Sequence, residues 1–230
     1  MNETVLITGS SRGLGRELAL TFANRGNNII LHGRNADDLE SVRSELLEKR
    51  VGVSIVEGDL RSRSTLDSLF NISREKRASV LVNNAGIHSY NLPFEEIEED
   101  KIDEMLYTNL IAPIKLTWRI YPLFLSMGYG TIININSIIG LEPKEKKTLY
   151  TSSKWGLRGF SSSLRLESGR HNIKIIDVYP TRIKTKPEFD YGMSPGEVAE
   201  KIYAAYEKNK SMSLILDDRP EEFRQKHDLK

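Results

Sequence analysis

The sequence predicts an α/β fold, a doubly wound parallel sheet of about seven strands with helices on both faces. Three observations predict it. Short apolar, β-branched runs alternate with segments of helical periodicity along the chain, and few polar residues interrupt them, as in strands covered on both sides. The residues of unusual chemistry fall just after those runs. Ligands of such sheets bind beyond the carboxyl ends of the strands, so the third observation also locates a site.

The expected strands are residues 5–8, 28–31, 53–56, 79–82, 131–135, 174–178 and 213–216. Helical patterns occupy residues 14–24, 36–49, 64–72, 102–127, 150–168 and 195–209. The 230 residues suffice for one large core. With no internal repeat, low-complexity linker or shift in composition, a single domain over residues 1–230 is expected, with 217–230 as a charged C-terminal tail.

Basic residues (33) and acidic residues (32) are interspersed to a net charge of +1, which offers no broad basic face for nucleic acid. The absence of cysteine excludes disulfides, thiolate metal sites and a cysteine nucleophile, and fits a reducing compartment. His32, His88, His171 and His227 form no ligand-spaced pair, so no catalytic metal is expected. No apolar run approaches bilayer length and the amino end enters a strand almost at once. A cytoplasmic protein without membrane association, acting on a small molecule, is expected.

The first strand runs into Thr8-Gly9-Ser10-Ser11-Arg12-Gly13-Leu14-Gly15, which opens the first helix. Gly9, Gly13 and Gly15 allow a tight turn and a close approach of main chain to ligand, while the helix behind offers N–H groups and a positive dipole end. An anionic pyrophosphate fits, with Ser11, Arg12 and Leu14 as further contacts. The spacing Gly-x3-Gly-x-Gly differs from the general Gly-x-Gly-x2-Gly fingerprint, so an ordinary glycine-rich turn stays the alternative.

Gly33-Arg34-Asn35 follows the second strand without the acid that would hold a free ribose 2′-hydroxyl. Arg34, with Arg12, matches a 2′-phosphate, which makes NADP(H) the expected cofactor and NAD(H) the alternative; a solvated arginine is the plainer reading. Asp37 and Asp38 suit the N-terminus of the next helix. Asp59 and Leu60 after the third strand, and Asn83, Ala85 and Gly86 after the fourth, fall where adenine and its ribose would lie. A carboxylate accepts from an adenine amino group and small residues admit a ribose, although the same residue types also make plain turns.

Ser137 follows the fifth strand, and Tyr150 and Lys154 lie four residues apart on one helical face. A neighbouring ammonium is expected to lower the pKa of the phenol, letting Tyr150 exchange a proton with a carbonyl or alcohol oxygen, while Ser137 steadies the developing oxyanion.

In this order and at this spacing the motifs resemble those of the classical short-chain dehydrogenases/reductases, over residues 4–216. Thr8, Gly9, Gly13 and Gly15 match the family's glycine motif; Asn83 to Gly86 match its Asn-Asn-Ala-Gly; Ser137, Tyr150 and Lys154 match its serine and Tyr-x3-Lys. The resemblance implies a Rossmann-type sheet and an NADP(H)-dependent oxidoreductase that interconverts a ketone or aldehyde and an alcohol by hydride transfer. It implies that Lys154 also binds the nicotinamide ribose, that Asn109 helps to hold a water linking Lys154 to solvent, and that Pro180, Ile183 and Thr185 contact the nicotinamide. Thr181 departs from the glycine that relatives carry after the sixth strand. The resemblance further implies a homodimer through residues 110–125 and 150–168, with a homotetramer as the alternative that the charged C-terminus disfavours. A non-catalytic NADP(H)-binding redox sensor is the competing function, and the intact set Asn109, Ser137, Tyr150 and Lys154 argues against it.

The substrate pocket is expected to be lined by Ile138, Ile139, Gly140 and Leu141, by residues 88–92 and by residues 186–193. The charged loop 142–147 is expected to be solvated, His88 incidental, and Trp118 and Trp155 packing residues.

Overall fold

The computed structural model describes residues 2–88, 90–185 and 192–219. Residues 186–191 of the expected substrate wall, residue 89, and residues 220–230 of the expected tail, including His227, lie outside the described residues.

Seven parallel strands, β1 (Thr4–Ile7), β2 (Asn28–Gly33), β3 (Val53–Glu57), β4 (Val80–Asn83), β5 (Gly130–Ile135), β6 (Ile173–Pro180) and β7 (Met212–Leu216), form one sheet in the order β3-β2-β1-β4-β5-β6-β7. Val5 lies in register with Ile29 on one side and Val80 on the other, so β1 and β4 adjoin where the winding reverses. That reversal opens a crevice at the carboxyl ends of β1 and β4.

The helices are α1 (Gly13–Ala23), α2 (Ala36–Leu47), α3 (Arg63–Glu75), α4 (Glu99–Leu106), α5 (Ala112–Met127), α6 (Thr148–Ser168) and α7 (Pro195–Glu207). The strand period of two divides the core. Val5 and Ile7 pack with Leu18 and Phe22 of α1, Leu39 of α2 and Val198 and Ile202 of α7, whereas Leu6 packs with Leu66 of α3 and Leu116 and Phe124 of α5. Among the described residues no helix is long and apolar enough to cross a membrane.

All seven expected strands form, with ends shifted by one or two residues. The helix expected over 102–127 differs most: α4 passes through a π-helical turn, Tyr107–Ile111, into α5. The apolar pattern continues through that turn, which is why the sequence reads as one helix. Asn35 caps α2, its side chain accepting from the Asp38 N–H, while Asp37 and Asp38 occupy the first turn as expected.

Candidate active site

The glycine turn is built by close approach. Gly9 and Gly13 have φ of +64° and +55°, the left-handed region that disfavours other residues. A Cβ on Gly15 would stand 2.1 Å from the Gly9 carbonyl oxygen, one on Gly9 would stand 2.9 Å from the Ala85 Cα, and one on Gly13 would stand 3.2 Å from Thr185 Cγ2. Thr185 thus lies directly over the turn. Arg12, the N-cap of α1, supplies no side-chain cap, and the first turn carries no acid, so the positive end of the helix faces the cradle uncompensated. Such a cradle fits a pyrophosphate.

Three residues outside the expected set, Thr8, Asn84 and His32, brace it. Asn84 Nδ2 donates to the carbonyls of Thr8 and Gly9 at 2.8 and 3.0 Å, and the Thr8 hydroxyl accepts from the Asn84 and Ala85 N–H groups at 3.0 Å each. His32, buried at the end of β2, accepts from the Gly9 N–H through Nδ1 at 3.3 Å, and its Nε2 lies 3.1 Å from the Gly58 carbonyl, to which it donates. These two bonds require the neutral imidazole with its proton on Nε2. Burial lowers its pKa to about 4, against smaller opposing effects of the Gly58 carbonyl and Asp59. A lone histidine in a strand gave no functional signal in the sequence; its neighbour Gly33 was the only hint of a turn.

Beyond this brace the expected cofactor contacts separate. Arg12 and Arg34 are exposed on the crevice side, and Ser11 packs beside Gly33. Asp59 is paired with Arg61 at 2.8 Å, and that bond above all holds its carboxyl below the usual range, with Arg34 contributing. The side chains of Leu14 and Leu60 are buried in the core, so only their main chains reach the crevice. Asn83 turns its side chain inward, donating to Asn134 at 2.8 Å and Thr117 at 3.2 Å, so it too meets the crevice through its main chain. The last residue of a fully covered strand presents one face to the interior, and Asn83 lies on that face. Gly86 adjoins Asn109, whose Oδ1 would stand 3.3 Å from an added Cβ. Pro180 ends β6, and Ile183 bridges Met193.

Ser137 leaves β5 into a 3-10 turn, Ile138–Gly140, and its hydroxyl accepts from the Ile139 N–H at 3.3 Å. Asn136 locks this turn to α6 by donating to the Lys154 carbonyl at 3.1 Å and accepting from the Ser137 N–H at 2.9 Å. Lys154 is buried, its ammonium donating to the Ile135 carbonyl at 2.9 Å and standing 5.6 Å from the Tyr150 ring centroid. Burial lowers its pKa to about 8.

The expected acidic phenol is overturned. Burial raises the Tyr150 pKa, and the facing Ser137 hydroxyl opposes this only in part. The ammonium donates one of its hydrogen bonds to the Ile135 carbonyl, and desolvation is the larger influence on the phenol.

Asn109 sits in the π-helical turn, with Oδ1 accepting from the Ile87 N–H at 2.7 Å and Nδ2 donating to the Ile87 carbonyl at 2.9 Å. It fastens the chain leaving β4 beside α6. His88, next in that chain, stacks on Tyr150 with ring centroids 6.2 Å apart.

On the substrate side Ile138, Ile139 and Gly140 are buried and Leu141 is partly so. The loop 142–147 is solvated only at its centre, because Glu142 pairs with Arg219 and Lys147 bonds to Asn91. Trp118 and Trp155 are 73% and 46% exposed, a correction to their expected packing role: both lie on the outer faces of α5 and α6. No group of three or more metal-ligating side chains occurs among the described residues.

A glycine cradle at the sheet's reversal, beside a tyrosine and a lysine on one helical turn, is matched by the short chain dehydrogenase family model over residues 3–190. The chain belongs to that family. The family is one of oxidoreductases that bind a nicotinamide cofactor and act on small molecules. Dehydrogenase/reductase SDR family member 7B of Bos taurus is 30% identical, covering 95% of this chain and 75% of its own. The NADPH-dependent pterin aldehyde reductase of Arabidopsis thaliana is 32% identical over 71% of this chain and 68% of its own. The solved short-chain dehydrogenase from Sphingobium yanoikuyae, in complex with NADPH, is 25% identical and superposes with a TM-score of 0.87, covering 98% of this chain and 92% of that one.

Proposed function

We propose that the chain is an NADP(H)-dependent oxidoreductase that interconverts a ketone or aldehyde and an alcohol, with Tyr150 as general acid and base. The observation that carries this reading is the placement of Tyr150, Lys154 and Ser137 around one point beside the glycine cradle. The NADPH-dependent aldehyde reductase and the NADPH complex among the relatives support the cofactor and the carbonyl class.

Gly9, Ser11, Arg12, Gly13, Leu14 and Gly15 would hold the pyrophosphate, Arg34 the 2′-phosphate, and Asp59, Leu60, Asn83, Ala85 and Gly86 the adenosine, Asn83 through its main chain. Pro180, Ile183 and Thr185 would border the nicotinamide, with Lys154 on its ribose. When bound, the nicotinamide exchanges hydride with the substrate carbon.

The proton is the protein's task. A raised pKa keeps Tyr150 protonated near neutrality, which suits donation to a carbonyl oxygen. The Ser137 hydroxyl would bond the same oxygen as negative charge develops on it. With a pKa of about 8, Lys154 is largely charged at pH 7 and favours the phenolate left after donation. Asn109 fixes the wall bearing His88, and its proposed share in a water path to Lys154 follows from its place between Ile87 and Ser153, whose Oγ is 3.4 Å from Nδ2.

The chain would act as one domain and as a homodimer, with the exposed Trp118 and Leu125 of α5 and Trp155 and Leu166 of α6 supplying the apolar contact. A panel of carbonyls and alcohols followed at the nicotinamide absorbance, with NADP(H) and NAD(H) in turn, tests the proposal. Turnover with NADP(H) is expected; cofactor binding without turnover of any member would favour the redox sensor.

A further inference from the structure

Arg219, three residues past the end of β7, is only 14% exposed, and so is Glu142. Its Nη1 and Nη2 donate to the two Glu142 carboxylate oxygens at 2.9 and 3.0 Å, and its Nε and Nη2 donate to Asp217 at 2.8 and 2.6 Å. Asp217 is 8% exposed. Withdrawing one cation and two anions from water is costly, and such clusters contribute little net stability even when well paired. What a two-pronged guanidinium–carboxylate pair supplies is direction, because its planar fork accepts one relative orientation.

That orientation joins two walls of the cleft. The Glu142 N–H donates to the Ile138 carbonyl at 2.9 Å, so Glu142 closes the turn that begins at Ser137. On the other side the Thr181 N–H donates to the Leu216 carbonyl at 2.9 Å, and the Thr181 hydroxyl bonds Asp218. Residues 217–219 therefore tie the Ser137 turn, through Arg219, to the chain leaving β6 toward Thr185. Thr181, where the resemblance leads one to expect glycine, is a member of the tie, and it needs no left-handed φ.

We propose that Arg219 is a positioning residue that holds the wall 137–142 against the segment after β6 and thereby sets the width of the cleft in which a carbonyl substrate meets Tyr150. The proposal rests on the oxidoreductase reading above. Arg219 touches no reacting atom; it acts through Glu142.

The test compares the full-length wild type with Arg219→Ala, Arg219→Lys and Glu142→Gln, using NADPH and a graded series of aldehydes and ketones from small aliphatic to bulky aryl. Arg219→Ala and Glu142→Gln are expected to change the ratio of kcat/KM between bulky and small carbonyls at least tenfold, chiefly through KM, with NADPH affinity by fluorescence altered less than threefold. Arg219→Lys, keeping charge but not the fork, should fall between, and Arg219→Ala combined with Glu142→Gln should add nothing to the larger single effect. Should Arg219→Ala fail to fold, the lysine and glutamine variants carry the same comparison. An unchanged ratio, or an equal loss of kcat on every carbonyl, would overturn the positioning role while leaving the oxidoreductase reading intact. A wild type that turns over none of the series would overturn that reading and the proposal with it.

Discussion

Lys154 and Tyr150 share one face of α6, yet the Lys154 ammonium gives its hydrogen bond to the Ile135 carbonyl at 2.9 Å and stands 5.6 Å from the phenol ring centroid. The pair is therefore a partly exposed phenol beside a buried amine. Its phenol is held protonated, and its lysine is poised to charge or discharge near pH 8.

Carbonyl reduction should follow that lysine. Below pH 8 the ammonium favours the phenolate formed by proton donation, and above it the charge is lost, so kcat/KM for reduction is expected to fall as pH rises through about 8. A pH–rate profile with NADPH checks this, and Lys154→Met should remove the step along with most of the activity.

His32 makes the fold acid-sensitive. Its folded pKa of about 4 lies below the usual 6.5, so the stability it contributes is fully present above pH 6.5 and is lost as pH falls through 4. That difference corresponds to about 3 kcal/mol. Urea unfolding at pH 7, 5.5 and 4 should show that loss in the wild type and a flatter dependence in His32→Gln, which should also bind NADPH more weakly through a loosened Gly9.

Arg34 should select the cofactor. A charge-assisted bond to phosphate is worth about 1.5–3 kcal/mol, so Arg34→Asp is expected to weaken NADPH binding roughly ten- to a hundredfold and to spare NADH. Isothermal titration with both cofactors measures it.

The exposed face of α5 and α6 should hold two copies together. Trp118→Glu is expected to convert a dimer to a monomer in sedimentation, with the fold intact by circular dichroism, because Trp118 is already at the surface of the single chain.

How much of this was legible in the sequence varies with the kind of interaction. Strands such as Val5-Leu6-Ile7 announce themselves because covered strands are continuously apolar, and Tyr150 with Lys154 is visible because helical spacing alone puts them on one face. Desolvation is not visible in spacing, so the raised phenol pKa was not legible. Nor was the inward turn of Asn83, which depends on the face that a strand's last residue presents. His32 and Gly9 are 23 residues apart, and Arg219 and Glu142 are 77 apart. Neither pair carries a periodicity, so only the folded chain brings them together. The π-helical turn at Asn109 likewise left the apolar pattern unbroken.

The most direct measurement of the central claim is turnover by Tyr150→Phe, which deletes one hydroxyl and keeps the ring that stacks on His88. Steady-state reduction of a carbonyl that the wild type accepts is expected to fall by about 10²- to 10⁴-fold with NADPH affinity and thermal stability nearly unchanged. Turnover within a few-fold of the wild type would contradict the assignment of Tyr150 as the proton donor.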